Sequence, residues 1–171
     1  NLNPVSSLLS LTISGCNLKD IDFLEYFPKL GYINLSNNYI SDISVFENFD
    51  ILLELNLANN SILDVSPLRS LKVYENLFLN NNLIIDLSPL YLLLKSDKIA
   101  DLSFNNNQNL IYPPYKEQSI SKEYVIEWFD NVYHNAKTIF DEAKLVKSKT
   151  LDLGFCGLTD LNIISDLFFE N

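Results

Sequence analysis

The chain has 171 residues, of which 47% are hydrophobic, and its formal net charge is −10 at pH 7. This apolar content suits a buried core and argues against a disordered chain, and no run of about 18 apolar residues could span a membrane. Between Lys116 and Lys149, six lysines and six acidic residues cancel, so the excess negative charge falls on the rest of the chain. An acidic chain of this kind is not expected to bind nucleic acid.

A strand-like pattern recurs along the chain at a nearly constant spacing. Two apolar residues flank one variable residue, and these pairs begin at Leu11, Ile33, Leu55, Leu77, Leu102 and Leu151. The first four lie 22 residues apart, and the last two follow after 25 and 49 residues. A polar residue stands five positions after each start: Cys16, Asn38, Asn60, Asn82, Asn107 and Cys156. One such unit cannot bury its apolar face alone, so the pattern predicts stacked coils.

This LxLxxN/CxL pattern resembles that of leucine-rich-repeat proteins of the short, 22-residue class. The segments Ile40–Ser44 and Val65–Leu68 are similar to those of internalins and of phosphatase-regulating leucine-rich-repeat proteins. The resemblance covers about residues 8–110 and 148–169. It implies an α/β repeat fold: a curved solenoid with a parallel concave sheet, short convex arcs and one long inserted helix. It also implies binding to proteins, without pointing to a particular partner.

Two polar columns accompany the apolar repeat. An inward asparagine offers a donor and an acceptor that can satisfy turn backbone groups of its own and the adjacent coil, and we favour this role over a catalytic or glycan site. Cys16 and Cys156 occupy the same column, and we expect them to be free, buried and structural. The second column is Asp20, Asp42, Asp64, Asp86 and Asp160. We favour capping of the following turn over calcium, because no coil supplies the six or so oxygens that calcium needs.

The 49-residue spacing leaves a helical insertion at about residues 111–147. Pro113-Pro114 excludes a helix immediately before it, and Ser119 or Ser121 can cap a helix that we predict over 121–146. Its aromatic stripe includes Trp128. The favoured interpretation is that this stripe packs on the solenoid core, and the alternative is that it forms a groove for a partner. His134 lies off the stripe with Asp130, on a face that we expect to be solvated. The insertion is similar to segments that follow the repeats of bacterial Roco-type leucine-rich-repeat proteins.

The pattern predicts a single leucine-rich-repeat domain over residues 1–171, as part of a longer chain. One histidine and two ladder cysteines leave no arrangement for nucleophilic catalysis, and four glycines give no phosphate-binding loop. We therefore predict a protein that is not an enzyme and that needs no cofactor and no metal. No signal peptide is visible, but the chain starts without an initiator methionine, so its start does not indicate a compartment. The localisation is therefore left unassigned, with the cytoplasm slightly favoured over secretion.

The variable strand positions point to the concave sheet, where large aromatic and acidic residues favour a basic protein partner. The predicted partner-binding residues are Tyr32, Glu54, Glu75, Phe78, Asp101, Asp152 and Phe155, and Tyr39 can extend this patch. One alternative is a recognition or scaffold segment of a larger signalling or cell-surface protein. A remote alternative is an enzyme that uses surface carboxylates such as Glu54 or Asp101.

Overall fold

The computed structural model describes residues 7–96, 98–108, 110–111, 113 and 121–146. Its strands are β1 (Ser10–Thr12), β2 (Tyr32–Asn34), β3 (Ile51–Asn56), β4 (Lys72–Phe78) and β5 (Asp101–Ser103). They form one parallel sheet in chain order, β1-β2-β3-β4-β5. Tyr32 pairs with Ser10 on one side and Glu54 on the other, which is the register that the 22-residue spacing predicts. The chain is thus a curved solenoid with one sheet on its concave face.

Short 3₁₀ helices form the convex arcs between the strands. They span Asp22–Tyr26, Ser44–Asn48, Ser66–Leu68 and Ser88–Leu90. An aspartate lies two residues before each one and accepts a hydrogen bond from the backbone N–H of its first residue at 2.7–2.9 Å; these aspartates are Asp20, Asp42, Asp64 and Asp86. The predicted turn role of these aspartates is therefore confirmed, whereas Asp160 lies outside the described residues.

The apolar positions of the repeat stack into one continuous core. In the second coil six apolar side chains are buried: Leu30, Ile33, Leu35, Ile40, Ile43 and Phe46. In the first coil Leu11, Ile13 and Leu18 are only half-buried, because no described coil covers their outer side. Burial of each such side chain contributes about 1.5–3 kcal/mol to folding, so the central coils carry most of the stability.

The asparagine ladder joins each coil to the one before it. The Asn82 carboxamide oxygen accepts a hydrogen bond from Ile62 N–H at 3.0 Å, and its amino group donates to the carbonyls of Leu57 and Leu79 at 3.0 and 3.1 Å. Asn38, Asn60 and Asn107 make equivalent bonds. The predicted structural role of this ladder is confirmed.

The residue just before each ladder asparagine has a separate task that the sequence interpretation missed. Asn37, Asn59, Asn81 and Asn106 have φ between 56° and 60°, and Gly15 occupies the equivalent position with φ 68°. Asparagine tolerates this left-handed conformation better than most residues with a Cβ atom. The recurrent Asn-Asn pairs thus combine a left-handed turn residue with a ladder residue.

The first cysteine departs from its prediction. Cys16 is free, as expected, but it is exposed rather than buried. Its N–H donates to the Asn38 side chain at 3.0 Å, so the ladder connection is kept, but no described coil covers the thiol. Cys156 and the sixth repeat, at about 148–169, lie outside the described residues.

The coil between β4 and β5 departs from the simple repeat. The register shifts between β3 and β4, where Leu52 pairs with Val73 but Glu54 pairs with Asn76, so β4 carries one extra residue at a bulge. The following arc continues from its 3₁₀ helix into α1 (Tyr91–Lys95). This short helix accommodates the three extra residues of the 25-residue spacing.

The inserted segment contains one long helix, α2 (Lys122–Leu145), in the predicted place. Ser121 caps it by accepting a hydrogen bond from Tyr124 N–H at 3.1 Å. The stripe packs on the solenoid, with Val125, Phe129, Val132, Tyr133 and Ala136 buried, which confirms the favoured interpretation. His134 is exposed, as predicted. No helix among the described residues has the length and apolar character needed to cross a membrane.

A polar clasp joins α2 to α1 through Asp130, whose side chain is 45% exposed on the polar face of the helix. Its carboxylate accepts hydrogen bonds from Tyr91 Oη and from Lys95 Nζ, the latter at 3.0 Å. Partial burial opposes ionisation, but these two bonds prevail and lower the pKa of Asp130. Beside the clasp, the ring centroids of Tyr91 and Tyr133 lie 4.6 Å apart. Burial raises the pKa of the Tyr133 hydroxyl. The Tyr133 hydroxyl has no hydrogen-bond partner among the described residues.

Candidate protein-binding surface

The concave sheet arranges the variable strand positions into two rows. The first row contains Ser10, Tyr32, Glu54, Asn76 and Asp101, and the second contains Thr12, Asn34, Asn56, Phe78 and Ser103. Members of a row lie on paired strands, so neighbouring side chains are separated by about 4.8 Å, the spacing of strands in a sheet. Residues that are 22 or more positions apart in the sequence therefore share one surface.

Tyr32, Glu54 and Asn76 are consecutive members of the first row. Tyr32 is 37% exposed, so a large part of its ring faces solvent. The Glu54 carboxylate accepts a hydrogen bond from the Asn76 side chain at 2.9 Å, across the strand pair. This bond holds the carboxylate on the face, next to the ring.

Phe78, Asp101 and Glu75 lie at the other end of the sheet. Phe78 is half-buried, whereas Asp101 and Glu75 are exposed. The bulge in β4 places Glu75 beside β5, where its backbone carbonyl accepts a hydrogen bond from Ala100 N–H at 2.7 Å. The structure therefore places Tyr32, Glu54, Phe78, Asp101 and Glu75 on one sheet. Asp152 and Phe155 lie outside the described residues.

Two further large side chains near the ends of the strands are exposed. Leu9, at the second position of the first coil, is 62% exposed, and its carbonyl accepts hydrogen bonds from the N–H groups of Gly31 and Tyr32. Leu9 was not among the residues predicted to bind a partner. Tyr39, 57% exposed, lies at the edge where the strands end.

The asparagines of the second row are less available than their positions indicate. Asn34 accepts hydrogen bonds from the Ser36 N–H and hydroxyl at 3.1 and 2.8 Å, and Asn56 accepts one from Ala58 N–H at 3.1 Å. Because these carboxamides already order their own turns, the aromatic and acidic side chains are the groups of the sheet best suited to a partner.

The part of the chain that the structure describes shows no group of three or more histidine, cysteine, aspartate or glutamate side chains that could hold a metal ion. Of the two carboxylates considered for catalysis, that of Glu54 accepts one amide hydrogen bond, from the Asn76 side chain. The arrangement is that of an open surface with aromatic and acidic groups.

Comparison with known proteins agrees with the repeat pattern. Residues 6–48 match a family model described as Leucine Rich repeats (2 copies). No curated protein matches the chain.

Two solved structures are similar to the chain. One is an internalin C2 from Listeria monocytogenes, with 27% identity, covering 58% of this chain and 43% of that one, at a TM-score of 0.49. The other is an internalin (inlF) from the same strain, with 25% identity, covering 61% of this chain and 40% of that one, at a TM-score of 0.45. The chain thus spans less than half the length of either. The match lies in the first two coils, and the same strand register continues through β5, so the described coils are similar to those of leucine-rich-repeat proteins.

Proposed function

We propose that this chain is a non-catalytic interaction module that binds a protein partner on its concave sheet. The observation that carries the proposal is the shared face of Tyr32, Glu54, Phe78 and Asp101 on paired strands. Aromatic side chains with large contact areas are enriched among residues that dominate binding energy. Leucine-rich repeats are in general protein-interaction modules, which supports the same function.

The charge of the surface favours a partner with a basic face. Glu54, Glu75 and Asp101 contribute three carboxylates to the sheet, in a chain whose net charge is −10. Complementary charge accelerates association and disfavours acidic partners, and its effect weakens as salt is added. A recognition segment of a larger signalling or cell-surface protein would use the same surface, so both alternatives share this binding step.

The test compares two double variants in affinity capture from a lysate of the source cells, followed by mass spectrometry. Tyr32→Ala/Phe78→Glu removes both concave aromatics. The matched control, Tyr26→Ala/Leu63→Glu, makes the same kinds of change at residues outside the sheet that are each 49% exposed. Circular dichroism and melting temperature establish that both variants remain folded.

We expect the concave variant to lose a protein that the wild type and the control variant both retain, with its loss reproduced by Glu54→Lys. The partner is then identified, and its affinity should fall as the salt concentration rises. If both double variants retain the same protein, the concave surface is not the binding site. If the affinity does not change with the salt concentration, only the contribution of the acidic residues is excluded.

A further inference from the structure

A second feature of the surface lies away from the concave rows, where the chain enters β4 and β5. A cavity of about 280 Å³ opens between the segment that leads into β4 and the end of α1. Leu71, Val73 and Leu93 line its floor, and all three are otherwise buried. Leu92, 58% exposed, continues this apolar surface at the rim. The cavity is slightly smaller than typical cofactor sites, so it suits a group the size of one or two side chains.

The rim of the cavity is basic. Arg69, Lys72 and Lys98 line it, together with the hydroxyl-bearing Ser70 and Ser96. Lys122, at the start of α2, adds a fourth cation nearby, because its Nζ lies 3.4 Å from the Ser96 carbonyl oxygen. Four of the 12 basic residues of this acidic chain thus converge on one place. Neither Lys72 nor Lys98 forms an ion pair with a carboxylate of the described residues.

The two irregularities of the repeat produce this site. The coil between β4 and β5 has three additional residues, which the five-residue α1 accommodates, and α1 brings Leu92, Leu93 and Ser96 beside the entry to β4. Next to it, Lys98 lies over the ring of Tyr74 in the β4 bulge, with its Nζ 4.5 Å from the ring centroid and 3.3 Å from the hydroxyl. This contact holds the ammonium group at the rim. No other coil among the described residues has both a strand bulge and additional residues in its arc.

We infer that this cavity is a second peptide-binding site, which takes an acidic residue next to an apolar one. The cations at the rim favour a carboxylate, and the leucine and valine floor favours an apolar side chain beside it. A ligand that extends past the opening meets Leu92. The site has the opposite charge to the concave sheet, so one partner can engage both surfaces only with oppositely charged regions.

The probe is a fluorescein-labelled hexapeptide in which two aspartates alternate with two leucines between terminal glycines, titrated with the full chain and followed by anisotropy. The control peptide replaces both aspartates with asparagines. We expect Lys72→Glu/Lys98→Glu to weaken binding of the acidic peptide at least about tenfold. Lys19→Glu/Lys29→Glu changes the net charge equally at exposed positions elsewhere and is expected to weaken it less than about twofold.

Two further variants separate this site from its alternatives. Leu92→Ser should weaken the acidic peptide several-fold, and Tyr32→Ala/Phe78→Glu should leave its affinity unchanged. The inference is overturned if the asparagine peptide binds equally well, if the two lysine double variants weaken binding alike, or if the acidic peptide does not bind. Should Lys72→Glu/Lys98→Glu fail to fold, Lys72→Gln/Lys98→Gln supplies the same comparison with smaller expected losses.

Discussion

Two adjacent asparagines follow the strand in the second to fifth coils, and they meet two different physical requirements. The second of each pair is inward and bonded to two coils, as Asn82 is to Ile62, Leu57 and Leu79. The first adopts a left-handed backbone, as Asn59 does with φ 57°. Because both residues are asparagines, the sequence alone does not show that their roles differ.

Asn82→Ala should therefore destabilise the protein far more than a change at one of the left-handed turn positions. The substitution leaves the buried Ile62 N–H unpaired, and the Leu57 and Leu79 carbonyls keep only their bonds from Asn60 and Asn107, at a cost of about 1–3 kcal/mol in the free energy of unfolding. The matched control is Asn59→Gly, where glycine keeps the left-handed conformation, and we expect a change within about 0.5 kcal/mol. Urea unfolding measures both. Equal losses would contradict the distinction between the two positions.

The Asp42 carboxylate gives its arc a dependence on pH. Hydrogen bonds from the Ser44 N–H and from its hydroxyl lower the pKa of Asp42 below its ordinary value of 3.8. Because the folded pKa is the lower one, the stabilisation is present above 3.8 and is lost as the pH falls through the folded value.

Asp42→Ala should lower the melting temperature at pH 7, and its difference from the wild type should shrink as the pH is lowered below 3.8. Thermal unfolding by circular dichroism between pH 7 and pH 2.5 measures this difference. Asp42→Asn, which keeps an acceptor oxygen without the charge, should retain part of the stability and show less pH dependence. A difference in melting temperature that stays constant across this range would rule out the charge of Asp42 as its cause.

At the scale of elements, α2 was predictable, whereas α1 and the β4 bulge were not. The period of about 3.6 residues and Ser121 define α2 locally, so its boundaries follow from the chain itself. The five residues of α1 are too few for a periodic signal, and the bulge depends on which residue of β3 pairs with Val73. The clasp of Asp130 with Tyr91 and Lys95 likewise joins residues that are more than 30 positions apart.

Phe129→Ala should weaken the packing of α2 on the solenoid. The ring is 1% exposed and lies 6.0 Å from the Tyr91 ring, so its removal leaves a cavity and costs about 3–5 kcal/mol. Leu145→Ala, at the end of the same helix and 84% exposed, is the control and should change stability by less than about 0.5 kcal/mol. The free energy of unfolding in urea measures both. A loss below about 1 kcal/mol for Phe129→Ala would show that α2 contributes little to the fold.

At the scale of the whole molecule, stability should vary along the array. The strand β3 pairs with β2 and β4, and its Leu52 and Leu55 are fully buried, whereas β1 is paired on one described side and Leu11 is half-buried. Hydrogen exchange with mass spectrometry should therefore show faster exchange of amides in β1 than in β3, because local opening costs less where fewer neighbours are lost. Equal protection would indicate that the array opens only as one unit.

The sequence by itself determined the coil, its register and the inserted helix, because each is encoded by short-range periodicity and by polar residues with a local backbone role. It also identified the concave candidates Tyr32, Glu54, Phe78 and Asp101, since the strand period assigns their face. Tertiary structure alone decided the exposure of Cys16, the availability of Asn34 and Asn56, and the basic cavity around Lys72 and Lys98. These features depend on which coils cover a side chain and on contacts between distant residues, and such information is not contained in a local pattern.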